Sequence, residues 1–319
     1  MPQAIFSQDD LTGHILVVGE SLIDVVRRAD GSSQEHVGGS PANVAVGLAR
    51  LGRSVTLATR VGEDGRGTRI ANLLAEEGIS LTEGNPKHGG RTSVATSTID
   101  ASGAAEYSFD LSWDLLDVAP IEGVAHVHTG SIAATLEPGA SAVLTTVQRA
   151  RPYATISYDP NVRPSLMGDP HEVRGKIEAL IGLSDVVKAS DEDIAWLYDG
   201  VPLPDILRLW GQLGPALMVV TRGNRGAVVG LGMAGELTSV DAPDVEVVDT
   251  VGAGDSFMAG LLSGLLDAGL LGGIHGRERL RSASLADIRP AVDRALGCAA
   301  ITVSRAGANP PHRAELPKA

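Results

Sequence analysis

The chain reads as an α/β protein in which helices cover both faces of a mostly parallel central sheet. Three features carry that reading. Short apolar runs alternate with segments of helical periodicity along most of the length. The runs are continuously apolar rather than alternating, as strands buried on both faces require. The 319 residues are 43% hydrophobic and include 39 glycines, enough for a sizeable core and for the many turns that such a fold needs.

In chain order, strands are expected at ILVVG (15–19), VTLAT (55–59), VAHVH (124–128), ATISY (154–158), DVVKA (185–189) and ALMVV (216–220). Helices are expected between them at 40–51, 67–77, 138–150 and 170–182. The first helix is clearly punctuated, with Ser40 as N-cap, Pro41 in the first turn and Gly52 just past the end. Helix 67–77 should bury Ile70, Leu73 and Leu74 and stop at Gly78. Residues 21–37 and 91–110 break the rhythm with strand-like alternation and no helix between, and read as extra antiparallel edge strands. The first dozen residues and the tail after Pro311 read as flexible.

Composition narrows the function classes. A net charge of −13 argues against a nucleic-acid or anionic-membrane surface. The lone cysteine, Cys298, lies among Ala295, Leu296, Ala299 and Ile301 and reads as a buried, inert thiol. No apolar run approaches the ~20 residues of a membrane helix. The acidic, polar N-terminus is unlike a secretory signal, so the cytoplasm is the expected location.

The most informative stretch is VEVVDTVGAGDSFMAGL (245–261). The apolar Val245, Val247 and Val248 read as a strand, followed by a glycine-bracketed loop and then the helical pattern of Phe257, Met258, Leu261 and Leu262. Such an arrangement points free backbone amides outward at a positive helix end, a site for anions and for phosphate above all. Gly252 and Gly254 permit close approach, and Asp255 stands where a base could take the proton of a hydroxyl attacking a bound phosphate. A plain strand-to-helix turn is the alternative.

Residues 249–255 match, at every fixed position, the Asp-Thr-x-Gly-Ala-Gly-Asp signature of the ribokinase-like (phosphofructokinase B) carbohydrate kinases. GGSPANVAVGLARLG (38–52) resembles the family's second, N-terminal signature. The resemblance runs from Ile15 to about Asn309. It implies a ribokinase-like three-layer α/β/α sandwich over 13–311, with a small β-strand lid from about 21–37 and 91–112, often shared across a homodimer.

By the same resemblance, Asp255 is the catalytic base, and Gly252, Ala253 and Gly254 supply the amides around the transferred phosphate. Asp24, Gly38, Gly39, Asn43, the aromatic pair Tyr107 and Phe109, and Arg163 are assigned to the substrate; Asp159, Asn161 and Arg163 resemble the family's Asp-x-Asn-x-Arg loop, in which Arg163 could meet a phosphate or brace its turn. Lys188, Ser190, Asp193, Thr221 and Gly223 are assigned to the nucleotide. Asp193 stands where relatives carry a glutamate linked to magnesium-bound water; aspartate is one methylene shorter, so that contact is either lost or passes to Glu192. Asp249, with carbonyls of Val251, Arg305 and Gly307, would enclose a monovalent cation, or else Asp249 simply braces the phosphate loop. The implied ligands are a sugar, ATP, Mg2+ and K+.

The overall pattern is closest to bacterial fructokinases. The residues after the aromatic pair, Asp110, Leu111 and Ser112, include no cation to hold a carboxylate, which favours a neutral sugar over 2-keto-3-deoxygluconate. A nucleoside acceptor on the same fold and a non-catalytic sugar-binding regulator are the alternatives. GLGMAG (230–235) fits a dinucleotide fingerprint, but ELTSV follows it rather than a helix, so it reads as a turn between strands. His126 and His128 alternate on one strand and have no third metal ligand in view.

Overall fold

The structure, a computed structural model, describes residues 13–82, 90–99, 105–115, 118, 122–232 and 236–317. Strands β1 (His14–Val18), β2 (Leu22–Arg28) and β3 (Ser33–Gly38) lead into helix α1 (Ser40–Arg50). Then come β4 (Val55–Ala58), α2 (Gly65–Glu76), β5 (Ser80–Leu81), β6 (Val94–Ile99) and β7 (Ala105–Asp110). The middle of the chain forms β8 (Val124–Gly130), α3 (Gly139–Ala150), β9 (Thr155–Asp159), α4 (Pro164–Met167) and α5 (Pro170–Leu183). It continues through β10 (Val186–Ser190), α6 (Asp191–Leu197), α7 (Leu203–Leu213), β11 (Leu217–Thr221), β12 (Ala227–Leu231) and β13 (Glu236–Val240). Helices α8 (Ala253–Asp267), α9 (Gly273–Ser282) and α10 (Leu285–Val303) close the fold.

Nine strands make one sheet in the order β13-β12-β11-β10-β9-β8-β1-β4-β5. It is parallel from β11 to β5, with β12 and β13 added antiparallel at one edge. Alternate residues of each central strand serve opposite layers. Ile15, Val17 and Leu57 join α1, α8 and α10, whereas Leu16, Val18 and Ile156 join α3, α5 and α7. This is the expected three-layer sandwich. Helix α8 is buried from Asp255 to Leu266, and α10 packs closely along it where Gly260 and Gly264 leave room for Ala295 and Ala291.

The small sheet has the order β3-β2-β6-β7. Its central pair, β2 and β6, is parallel, so the expected antiparallel edge strands are instead a separate sheet of mixed direction. The reason lies in connectivity: the chain crosses the large domain through α1, β4, α2 and β5 before β6 returns beside β2. Ile23, Val25 and Val94 on one face join the core with Ile70 and Leu74 of α2. The other face carries His36, Asp24, Ala95 and Phe109 in one cross-strand row. Asp64 ties this sheet to α2 by accepting bonds from Gly67 N at 2.9 Å and Thr92 N at 2.9 Å.

Several local expectations are corrected. Gly39, not Ser40, is the N-cap of α1; its φ is 103°, and a Cβ there would lie 2.5 Å from Glu20 O. Helix α2 begins at Gly65 because Asp64 caps it, and Leu73 is only half-buried. Residues 245–248 are not a strand. Val247 and Val248 are exposed, and the Val248 and Asp249 amides donate only to Val303 O at the end of α10. Residues 312–317, expected as flexible tail, include a 3-10 turn, Arg313–Glu315, held by Arg305–Glu315 and Arg313–Asp267 ion pairs. The GLGMAG stretch joins antiparallel β12 and β13, with 233–235 outside the described residues, as are 1–12 and 318–319. Cys298 is buried, which pushes its thiol up to about 12.

Candidate active site

Strand order reverses at β1: the chain leaves it towards β4 on one side, while β8 begins the run on the other. In open α/β sheets, ligands gather outside the carboxyl ends of the strands at such a switch point. The sequence-derived candidates lie along that edge or on the elements that face it.

At the start of α8, Gly252 adopts φ 75° and a Cβ there would lie 2.6 Å from the Ala308 side chain. The Ala253 amide makes a 3.3 Å turn bond to Thr250 O. The amides of Gly252, Gly254 and Asp255 meet no acceptor among the described residues. Their donors therefore remain available at the positive end of a 15-residue helix. Asp255, 7% exposed, accepts from Ser40 Oγ at 2.6 Å and from Asn43 Nδ2 at 2.8 Å.

Behind the loop, Asp249 accepts the amides of Val251 at 3.0 Å and Gly307 at 2.8 Å, joining the 249–255 turn to the 303–309 loop. This is a bracing arrangement. Of the carbonyls expected around a cation, Gly307 O takes the Asn309 amide, whereas Val251 O and Arg305 O accept nothing among the described residues.

Lys188 enters from β10. Its ammonium meets Asp159 at 2.8 Å, with both side chains buried, and lies 3.0 Å from the place of a Gly254 Cβ. Burial opposes the ammonium charge, but the carboxylates of Asp159, Asp193 and Asp255 outweigh it and raise the Lys188 pKa. Burial pushes Asp159 up to about 6 against the pull of Lys188, which leaves it ionised at neutral pH. A fixed positive charge thus sits beside the free amides, a combination suited to a polyphosphate.

Ser190 pairs across the sheet with Thr221, which puts both at the same edge, and Gly223 begins a short 3-10 turn just beyond. Asp193 is committed locally. Its oxygens accept Val162 N at 2.8 Å and Ser190 N at 2.7 Å, so it holds α6 against the 159–163 loop, while Glu192 is exposed.

On the small-sheet side, Asp24 lies within electrostatic reach of Arg163, His36 and Asp255. Burial raises its pKa. A Cβ on Gly38 would lie 2.0 Å from Asp24 Oδ2, so any side chain there would displace the Asp24 carboxylate. Arg163 is exposed; it braces its own loop through Asn161 Oδ1 at 2.8 Å and acts at a distance on Asp24 and Glu20. Tyr107 and Phe109 stack at 6.4 Å, with Tyr107 62% exposed. His126 and His128 are buried within the sheet layer rather than at the pocket, bridged by Ser157 Oγ at 2.8 and 2.9 Å. Burial pushes each down to about 3. No cluster of three metal-ligating side chains occurs among the described residues.

Two participants and one contact escape the sequence reading. Ser40 was assigned to capping, although its spacing of three from Asn43 puts both on one helix face, a legible signal. Glu20 is 4% exposed and accepts the Ala133 amide at 3.2 Å; burial pushes it up to about 7. The pairing of Asp159 with Lys188 is a contact between strands and had no local signal.

An edge so built handles phosphate-bearing ligands next to a hydroxylated one, as a phosphotransferase must. The chain belongs to the pfkB family of carbohydrate kinases, whose family model matches residues 12–314. It is 32% identical over 308 residues to a fructokinase of Klebsiella pneumoniae, covering 93% of this chain and 95% of that protein. Among solved structures it resembles a fructokinase of Xylella fastidiosa with bound ATP, with a TM-score of 0.80, 25% identity, and 92% and 93% of the two chains covered. A fructokinase double mutant of Vibrio cholerae, in a fructose-, ADP- and potassium-bound form, matches with a TM-score of 0.78, 27% identity, and coverage of 93% and 94%. The chain is therefore an ATP-dependent sugar kinase, with an alcohol as phosphoryl acceptor.

Proposed function

We propose that the protein phosphorylates a neutral monosaccharide, fructose above the others, with Asp255 as general base. The observation that carries this reading is the buried Asp255 carboxylate set beside amides that have no internal acceptor. Asp255 takes the proton of the sugar hydroxyl as its oxygen attacks the γ-phosphorus. The bond to the β–γ bridging oxygen breaks and ADP leaves. The free amides of Gly252, Gly254 and Asp255, on the turn that the Ala253–Thr250 bond shapes and with Lys188 beside them, favour the charge on the phosphoryl oxygens. Mg2+, when bound with the nucleotide, neutralises phosphate charge.

Asp24, Gly38, Gly39 and Asn43 orient the sugar. Thr221, Gly223 and Ser190 border the nucleotide, and Asp193 acts by holding α6. A monovalent cation, K+ by analogy with the potassium-bound relative, would take the carbonyls of Val251 and Arg305. The stacked Tyr107 and Phe109 on an open sheet face support a homodimer in which a second copy covers the lid. The absence of a cation at 110–112 supports a neutral acceptor.

A coupled ADP-release assay across fructose, ribose, 2-keto-3-deoxygluconate and adenosine tests the reading. The expected outcome is turnover greatest with fructose. Tight sugar binding without ADP release would instead identify a regulatory sugar-binding protein, and turnover with adenosine alone a nucleoside kinase.

A further inference from the structure

We propose that Ser40 is a positioning residue: its hydroxyl, together with the Asn43 amide, fixes the Asp255 carboxylate in the orientation that receives the proton of the attacking alcohol. The proposal rests on the kinase reading above and goes beyond it, since that reading requires a base at position 255 but names nothing that holds it.

The geometry is specific. Ser40 and Asn43 project from one face of the first turn of α1. Each donates to a different oxygen of Asp255, at 2.6 and 2.8 Å, across 215 and 212 residues of chain. A carboxylate held at both oxygens has lost its rotation about χ2. The oxygen facing Ser40 is spoken for by a hydroxyl that is itself buried, 6% exposed. Asn43 also belongs to the sugar-contacting set, so its bond can be exchanged for one to the ligand. Ser40 is the fixed partner of the two. Its hydroxyl is not used for helix capping, since Gly39 occupies the cap and no side-chain cap bond is made.

Tight packing makes this hold stiff. Pro41 follows at once with a fixed φ. A Cβ on Gly47 would lie 2.6 Å from the Ala259 side chain, so α1 and α8 are in close contact two turns further along. The Ser40–Asp255 bond is thus made between two helices already locked together, and little conformational freedom remains to be lost when it forms.

The test uses the full chain and whichever sugar the wild type phosphorylates; a wild type that phosphorylates none defeats the kinase reading and is seen before any variant is made. Ser40→Ala should lower kcat about 10- to 100-fold, the range for losing a hydrogen bond to a charged group, while sugar KM and nucleotide affinity by calorimetry stay within about twofold. Ser40→Cys, of similar shape but a weak donor, should fall with it and replaces it if the alanine variant does not fold. Ser40→Thr, which keeps the hydroxyl, should recover most of the rate. Added to Asp255→Asn, Ser40→Ala should cost nothing further, because the two act as one unit. Overturning results are an unchanged kcat in Ser40→Ala, an equal loss in the threonine variant, or a loss that adds in full to that of Asp255→Asn.

Discussion

The two sheets handle polar groups in opposite ways. At the carboxyl edge of the large sheet, charges are matched: buried Lys188 with Asp159, buried Asp255 with Ser40 and Asn43, and half-buried Asp249 with two amides. On the open face of the small sheet, Asp24 has company only at a distance among the described residues, and Tyr107 stands largely in solvent. Under the proposed function, the contrast separates two tasks. Phosphoryl transfer needs groups that are held before the reaction begins, because reorganisation during it would raise the barrier. Choosing a sugar needs groups that are free until the sugar arrives. Helix α1 joins the two regions: Gly38 and Gly39 enter it from the small sheet, and its first turn grips Asp255.

If that division holds, damage to the large sheet should stop chemistry or unfold the protein, whereas damage to the small sheet should change KM. The largest effect is expected for Asp255→Asn, with kcat down about 10²–10⁴-fold or more and ATP still bound in a calorimeter. An active variant would remove the base assignment. Next, Lys188→Met leaves the Asp159 carboxylate buried and unpaired, which should cost about 3–5 kcal/mol in urea unfolding. Adding Asp159→Asn should recover most of that loss, because the stranded charge is gone.

Glu20 gives a pH test of the same edge. Its folded pKa of about 7 exceeds the ordinary 4.5, so the folded chain keeps a proton that the unfolded chain releases. The sign follows: the stability associated with Glu20 falls as pH rises from about 4.5 to 7. Glu20→Gln should remove that slope and stabilise the protein at pH 8 by an amount on the order of 3 kcal/mol, read from chemical unfolding at several pH values. Smallest of all, Phe109→Ala should raise sugar KM by about three- to tenfold, ~1 kcal/mol, with kcat unchanged. A matching loss in kcat would blur the boundary between the two regions.

Features encoded by neighbours in the chain were legible from sequence. The buried strands announced themselves as unbroken apolar runs, and the amide-rich start of α8 followed from glycines at fixed spacing around Asp255. Features made by distant segments were not. Ser40 looked like a cap because serine before a proline-led helix usually is one, and only the approach of α8 shows where its hydroxyl goes. The parallel pairing of β2 with β6 depends on a crossover whose direction no local pattern records. Val247 and Val248 had strand composition, but past the edge strand β13 they find no ladder to join.

The histidine pair carries a consequence for how the enzyme meets acid. With both rings held at about 3 and locked to Ser157, His126 and His128 stay uncharged from pH about 5 to 8. No extra cation then appears in the middle of the sheet as pH falls. Within the sheet layer, a drop in pH therefore acts by discharging Glu20 and Asp159 and not by charging this pair.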